Sequence, residues 1–282
     1  MRRENESENE SNGAAPDAAE RSLAPAVSRA MRVLDLLAQS PGEPVSLAEI
    51  ARSLGAAKSS TSNVCTVLEE SRMISRVANG YVLGRRTVEL GGAYLTQFDQ
   101  IKEFYRICAE SPLLQRQLVQ LAVLHDREVI YLARHEGRTP LRLTSGAGVG
   151  DRYPAALTAI GTALLATLDP AQVTELYDET TFPALTARST RSLEQLHAKL
   201  ALTRERGYAV DEGEVFPNVV GIAMAIPPRQ SGDHAFGINI SRIVPTDPPT
   251  LSREELDSVV ETLRHAVSQL TNPMALGTDT HH

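Results

Sequence analysis

Along the first ninety positions, apolar residues recur at helical spacing in three short blocks. In "SRAMRVLDLLAQSPG" Ala30, Val33, Leu34 and Leu37 share one helical face, Ser28 stands where an N-cap belongs, and Pro41-Gly42 stops the run. "SLAEIARSLG" opens with Ser46 and Glu49 at capping-box spacing, lines Leu47, Ile50, Ala51 and Leu54 on one face, and ends at Gly55. The third block turns Val64, Val67 and Leu68 inward, yet it begins with Lys58, Ser59, Ser60, Thr61, Ser62 and Asn63, which add little to that face. Alternation then replaces helical spacing. Ile74 and Val77, then Asn79-Gly80, then Tyr81 and Leu83 predict a β-hairpin turning on Asn-Gly. Three helices and a hairpin make a winged helix-turn-helix over residues 26–84.

The polar start of the third helix suits a DNA major groove, about 12 Å wide, which admits a helix carrying small hydrogen-bonding side chains. Ser59, Ser60, Thr61, Ser62 and Asn63 supply hydroxyls and an amide, while Lys58 and the helix N-terminus favour phosphate. Arg76 and Asn79, near the hairpin tip, are placed to reach backbone phosphate or the minor groove. Serine and threonine also cap ordinary surface helices, so the hairpin that follows is what strengthens the DNA reading.

Next, "GRRTVELGGAYLTQFDQ" puts Val88, Leu90, Tyr94, Leu95 and Phe98 on a helical stripe interrupted by Gly91-Gly92, each glycine costing about 1 kcal/mol relative to alanine. This predicts a linker helix over residues 85–99 that also pairs subunits, or else an ordinary domain helix. From residue 100 to 272 the pattern is mixed. "QLVQLAVLH" and "VIYLARH" flank the turn Asp126-Arg127-Glu128, and "LRLTSG" offers a third strand. "PAALTAIGTALLATLDP", "DPAQVTELYDE" and "SLEQLHAKLALTRERG" read as helices, the last with Ser192 as cap and Gly207 as terminator. Strand-like "YAVDEGE", "VVGIAMAIP" and "AFGINISR" follow, and "SREELDSVVETLRHAVSQL" closes with Ser252 and Glu255 as a second capping box. The fold class is α+β, mainly antiparallel. Residues 1–25 and 273–282 read as tails, the first disordered.

Composition narrows the function classes. The 282 residues suit two domains, and the net charge of −7 argues against an indiscriminate nucleic-acid binder. Residues 26–90, however, carry eight bases against six acids, so the one net-positive stretch holds the helix-turn-helix. Two cysteines make no disulfide framework and have no metal spacing, and no apolar run approaches the ~18 residues of a membrane span. A cytoplasmic protein without cofactor or metal, and with no membrane partner, is expected.

Candidate chemistry in the second domain is sparse. No nucleophile stands beside a base, no glycine-rich phosphate loop is present, and five histidines from His125 to His265 are scattered. Ser145, Ser241 and Asp211 lack a histidine partner by motif, which weighs against an enzyme. Asp211, Glu212 and Glu214 form either a solvated turn or, with Asp211 at a strand end, one wall of a pocket. Asn239 and Ser241 share one strand face, and small residues at Ala159, Gly161 and Gly221 leave room near a helix start.

With these pieces in place the sequence resembles the IclR family of bacterial transcriptional regulators over about residues 27–272. The resemblance rests on "SRAMRVLDLLA", "SLAEIARSLGAAKSSTSNVCTVLE", "NGYVLGRRTVELG", "PAALTAIGTALLA", "RERGYAVDEGEV" and "GIAMAIP…FGINIS" taken in order. It implies a winged helix-turn-helix, a linker helix, a GAF-like effector domain, and a homodimer or homotetramer on double-stranded operator DNA. It also implies a pocket for a small organic acid made by the backbone of Ala159 and Ile160 with Asp211, Gly221, Asn239 and Ser241. Three departures stand out: Asn63 where family members commonly have Arg, Pro154-Ala155-Ala156 where a His often follows the proline, and a short approach to the first strand in "SPLLQRQLVQLAVLH". The leading expectation is a repressor controlled by a small organic or aromatic acid. The alternatives are a constitutive DNA-binding scaffold with a degenerate pocket and, less favoured, a small-molecule enzyme.

Overall fold

The computed structural model describes residues 23–137, 148–177, 182–228 and 234–271. The chain divides into two compact units, Met1–Tyr94 and Leu95–His282. The tails at 1–22 and 272–282 and the "LRLTSG" strand lie outside the described residues.

In the first unit α1 (Pro25–Ala38), α2 (Leu47–Leu54) and α3 (Lys58–Glu70) precede a hairpin of β1 (Ile74–Val77) and β2 (Gly80–Leu83). Val33, Leu37, Ile50, Leu54, Cys65, Leu68, Ile74 and Tyr81 pack into its core. The capping box forms as expected, with the Ser46 amide donating to Glu49 Oε2 at 2.9 Å and the Glu49 amide to Ser46 Oγ at 3.3 Å. Helix α1 begins three residues before the expected cap, because Pro25 at its first turn supplies a fixed φ and needs no donor. Ser28 therefore lies inside the helix. The hairpin turns on Ala78-Asn79, one residue earlier than the Asn-Gly reading, and Gly80 pairs with Val77. Glycine is needed at position 80 for closeness: a Cβ there would stand 2.3 Å from the Val45 carbonyl oxygen, and Val45 bridges Tyr81 beside it.

Helix α4 (Arg86–Leu95) ends before Phe98, which instead precedes α5 (Asp99–Glu110) and packs edge-on against Phe236. The approach to the first strand of the second unit holds both a helix and a turn. Helix α5, which buries Phe104, Ile107 and Cys108, and a 3-10 turn at Leu114–Arg116 fill it. Among the described residues six strands follow in the order β5-β4-β3-β8-β7-β6, all neighbouring pairs antiparallel. They are β3 (Leu118–His125), β4 (Glu128–His135), β5 (Arg152–Pro154), β6 (Ala209–Glu212), β7 (Val219–Ile226) and β8 (Phe236–Ile243).

The sheet is buried on both faces, which explains its near-continuous apolar runs. One face, with Val220, Ile222, Met224, Ile238 and Ile240, packs on α5 and on α9 (Arg253–Thr271). The other, with Ala122, Tyr131, Ala209 and Ala223, packs on α6 (Ala159–Leu165), α7 (Pro170–Tyr177) and α8 (Leu193–Arg206). Helix α6 starts four residues later than the apolar pattern suggests. Ala155–Leu157 form a buried turn, and the helix opens at Thr158, whose hydroxyl accepts from the Gly161 amide at 3.0 Å.

Candidate DNA-reading surface and ligand recess

Helix α3 buries Thr61, Cys65 and Leu68, which fixes the face it turns outward. Lys58, Ser59 and Asn63 are exposed, while Ser60 and Ser62 are half-buried. Thr61 does not belong to a groove-facing set: it is fully buried and its hydroxyl donates to the Ala57 carbonyl at 3.1 Å. Ser60 Oγ accepts from Arg29 of α1 at 3.3 Å. The polar start of α3 therefore splits in two, one part holding the helix in its bundle and one part facing out. The core reading of Val67 is also corrected, since Val67 is 63% exposed and Cys65 takes the inward position. Thr66 and Val67 extend the outward face by a turn, being three and four residues beyond Asn63. Their exposure was legible in principle, because Cys65 and Leu68 complete the inward stripe begun at Thr61. In the hairpin, Arg76 and Asn79 are exposed, and the Arg76 guanidinium lies 5.8 Å from the centre of the Tyr81 ring.

In the second unit the six residues expected at a ligand site line one recess together with Gln120, Tyr131, Tyr153, Thr158 and Phe216. The sheet register explains this convergence. Asp211 pairs with Gly221 and Gly221 with Ser241, so three neighbouring strands deliver these positions side by side. Gln120 pairs with Asn239 on the next strand. Gly221 is the gap in this row: a Cβ there would meet Ala159 Cβ at 3.2 Å and Asn239 Oδ1 at 3.3 Å. Only about 30 Å³ of the recess is open to the centre of a water molecule, space for roughly two waters.

Gln120 escaped the sequence reading, although a glutamine in the middle of "LVQLAVLH" is an apolar run's one polar break. The Asn239 amide nitrogen donates to Gln120 Oε1 at 3.1 Å and to Ser241 Oγ at 2.8 Å, and Ser241 Oγ donates to Gln120 Oε1 at 3.3 Å. Asp211 is buried, and its Oδ1 accepts from the Glu214 amide at 2.7 Å. Burial pushes the Asp211 carboxyl up to about 7, against that hydrogen bond, with the Glu214 charge raising it further and Lys199 lowering it. Beside it Lys199 Nζ pairs with Glu214 and donates to the Ala156 carbonyl at 2.7 Å, while the Thr190 amide and hydroxyl donate to Glu214 Oε2 at 2.9 and 2.7 Å. Glu214 is thus committed to structure, and of the acidic trio only Asp211 reaches the recess. Among the described residues no group of three or more His, Cys, Asp or Glu side chains gathers to hold a metal, and no helix is long and apolar enough to cross a membrane.

Comparison with known proteins agrees with both halves. Residues 26–78 match the family described as IclR helix-turn-helix domain, and residues 92–272 match Bacterial transcriptional regulator IclR C-terminal. The chain is 30% identical over 202 residues to the HTH-type transcriptional regulator XynR of Escherichia coli, covering 71% of this chain and 79% of that one. The Agobacterium tumefaciens repressor BlcR is 32% identical with a TM-score of 0.55, over 88% of this chain and 96% of BlcR. An IclR homolog from Microbacterium hydrocarbonoxydans, solved in complex with 4-hydroxybenzoate, shares the fold at 22% identity and a TM-score of 0.72, over 89% of this chain and 100% of its own. The two family matches, one on the helices that present α3 and one on the sheet that carries the recess, place this chain in the IclR family of DNA-binding bacterial transcriptional regulators.

Proposed function

We propose that the chain is a cytoplasmic repressor that reads its operator with α3 and is controlled by a small organic or aromatic acid in the recess around Gly221. The observation that carries the DNA half is the division of α3, which packs Thr61, Cys65 and Leu68 inward and leaves Lys58, Ser59 and Asn63 outward. Ser62 borders that face, Arg76 and Asn79 of the hairpin contact the backbone, and Ser60 is held by Arg29. Asn63 pairs with adenine through two hydrogen bonds, where an arginine would favour guanine. The convergence of Ala159, Ile160, Asp211, Gly221, Asn239 and Ser241 on one recess supports the effector half. The 4-hydroxybenzoate held by the Microbacterium homolog makes aromatic acids the first compounds to try. The chain acts as a homodimer or homotetramer, each head taking one half-site of the operator. No catalytic role is assigned to any residue.

The test begins with footprinting to find the operator. Asn63→Ala is expected to weaken operator binding by about 1–3 kcal/mol while leaving salt-dependent binding to random DNA. Equal losses on operator and random DNA would remove Asn63 from base reading. The same titrations repeated with candidate acids give the sign of control, since a ligand shifts operator affinity only if it binds the two states differently.

A further inference from the structure

Asn239 is 4% exposed, and both hydrogens of its amide are used, on Gln120 Oε1 and Ser241 Oγ. Its carbonyl oxygen, Oδ1, is buried with no hydrogen-bond partner among the described residues. With Gln120 Oε1 facing it, turning the Asn239 amide over would place one acceptor against another. Oδ1 is aimed at the gap above Gly221, 3.3 Å from where a Cβ would stand and opposite Ala159 and Asp211. A buried acceptor left unmet is costly, so the recess favours a donor there, a water in the free protein or a hydroxyl of a bound molecule.

The rest of the lining limits what that donor is. Among the described residues no lysine, arginine or histidine lines the recess, and the acid that does, Asp211, is buried beside the same gap. A carboxylate pushed to this depth meets no compensating cation and one acidic neighbour. Tyr131, Tyr153 and Phe216 form a run of edge-on rings, with centroids 6.0 Å apart in each pair, an apolar wall that must part to admit a body larger than about two waters. We propose that the effector is a hydroxylated small organic molecule seated hydroxyl first, its hydroxyl donating to Asn239 Oδ1 above Gly221 and any carboxylate directed to the mouth. This rests on the recess being the effector site and adds the group that the site selects.

Matched probe pairs test it on the full-length protein: lactate with propionate, and 3-hydroxybenzoate with benzoate, each titrated calorimetrically. The hydroxylated member of at least one pair is expected to bind about tenfold tighter, and Asn239→Leu to bring that ratio close to one. Asn239→Ala serves as a second variant, with thermal melting to confirm that each is folded. Equal affinity within both pairs, or a preference that survives loss of the amide, overturns the hydroxyl assignment and leaves the recess as effector site standing. Failure of all four probes to bind overturns both readings.

Discussion

Asp211 holds a buried carboxyl whose proton is retained up to about pH 7, against an ordinary value of 3.8. Burial is the main cause, and the groups facing it are Glu214, whose charge raises it, Lys199, whose charge lowers it, and the Tyr131 hydroxyl, which burial keeps neutral. In the unfolded chain the same group ionises near 4. Stability is therefore greatest below that pH and falls as pH rises toward 7, by up to about 4 kcal/mol for this one group. Asp211→Asn keeps an oxygen for the Glu214 amide and removes the titration. It is expected to melt higher than the parent at pH 8 and about equally at pH 4.5; a difference in melting that does not change with pH would contradict the buried-acid account. Val67 makes a second single-residue case, an apolar side chain on the outward face of α3 one turn beyond Asn63. In the proposed complex with operator DNA, its natural contact is a thymine methyl. Val67→Ala should cost operator affinity by about 1 kcal/mol, and replacing the contacted thymine by deoxyuridine should erase the difference between the two proteins. Full additivity of the protein and DNA changes would show that the two groups do not touch.

At the scale of elements, the second unit depends on a buried ion pair that ties α8 to the β6–β7 connection. Lys199 lies on α8, Glu214 just after β6, and Thr190 and Ser189 in the segment leading to α8, with Ser189 Oγ donating to the Glu214 carbonyl at 2.8 Å. Removing one partner leaves the other buried and uncompensated. Lys199→Met is expected to destabilise by about 3 kcal/mol, and adding Glu214→Gln should recover part of that loss in chemical denaturation. If the double variant were no better than the single one, the loss would come from packing rather than from the stranded charge. The sequence showed α2, α8 and α9 almost to the residue, because Ser46, Ser192 and Ser252 each bond to the third residue of the helix they cap. It missed the start of α1, where proline rather than serine sets the end, and the turn before α6, whose alanines are as apolar as the helix they precede. The six recess residues were named through family likeness, and the adjacency of Asp211, Gly221 and Ser241 is a matter of strand register, with Gln120 joined to Asn239 from 119 residues away. Local spacing carries no record of such pairings. Thr61 was misplaced for a related reason: composition shows a hydroxyl but not whether the hydroxyl is already bonded to the helix itself.

In the proposed reading the molecule brings two α3 helices to a two-fold operator, and α4 is a helix to which its own chain gives little to hold. None of its residues is buried, and Val88, Leu90 and Tyr94 are all exposed. A ten-residue helix is marginal alone, and Gly91 and Gly92 each cost it about 1 kcal/mol relative to alanine. Yet a Cβ added at either glycine would meet nothing within 4 Å. Among the described residues of one chain these glycines have no steric purpose. Against a second copy they have one, since a stripe without side chains lets two helices approach closely, and a symmetric interface brings the same residues of both subunits together. Gly92→Leu separates the two cases. In an isolated chain the substitution fits the open space and favours the helix, so melting of the protomer should be unchanged or raised. Across a close helix pair it is expected to weaken the dimer at least tenfold in analytical sedimentation and to reduce binding to a two-half-site operator toward that of a single half-site. A variant that remains as dimeric as the parent, with operator binding intact, would place subunit pairing elsewhere in the chain.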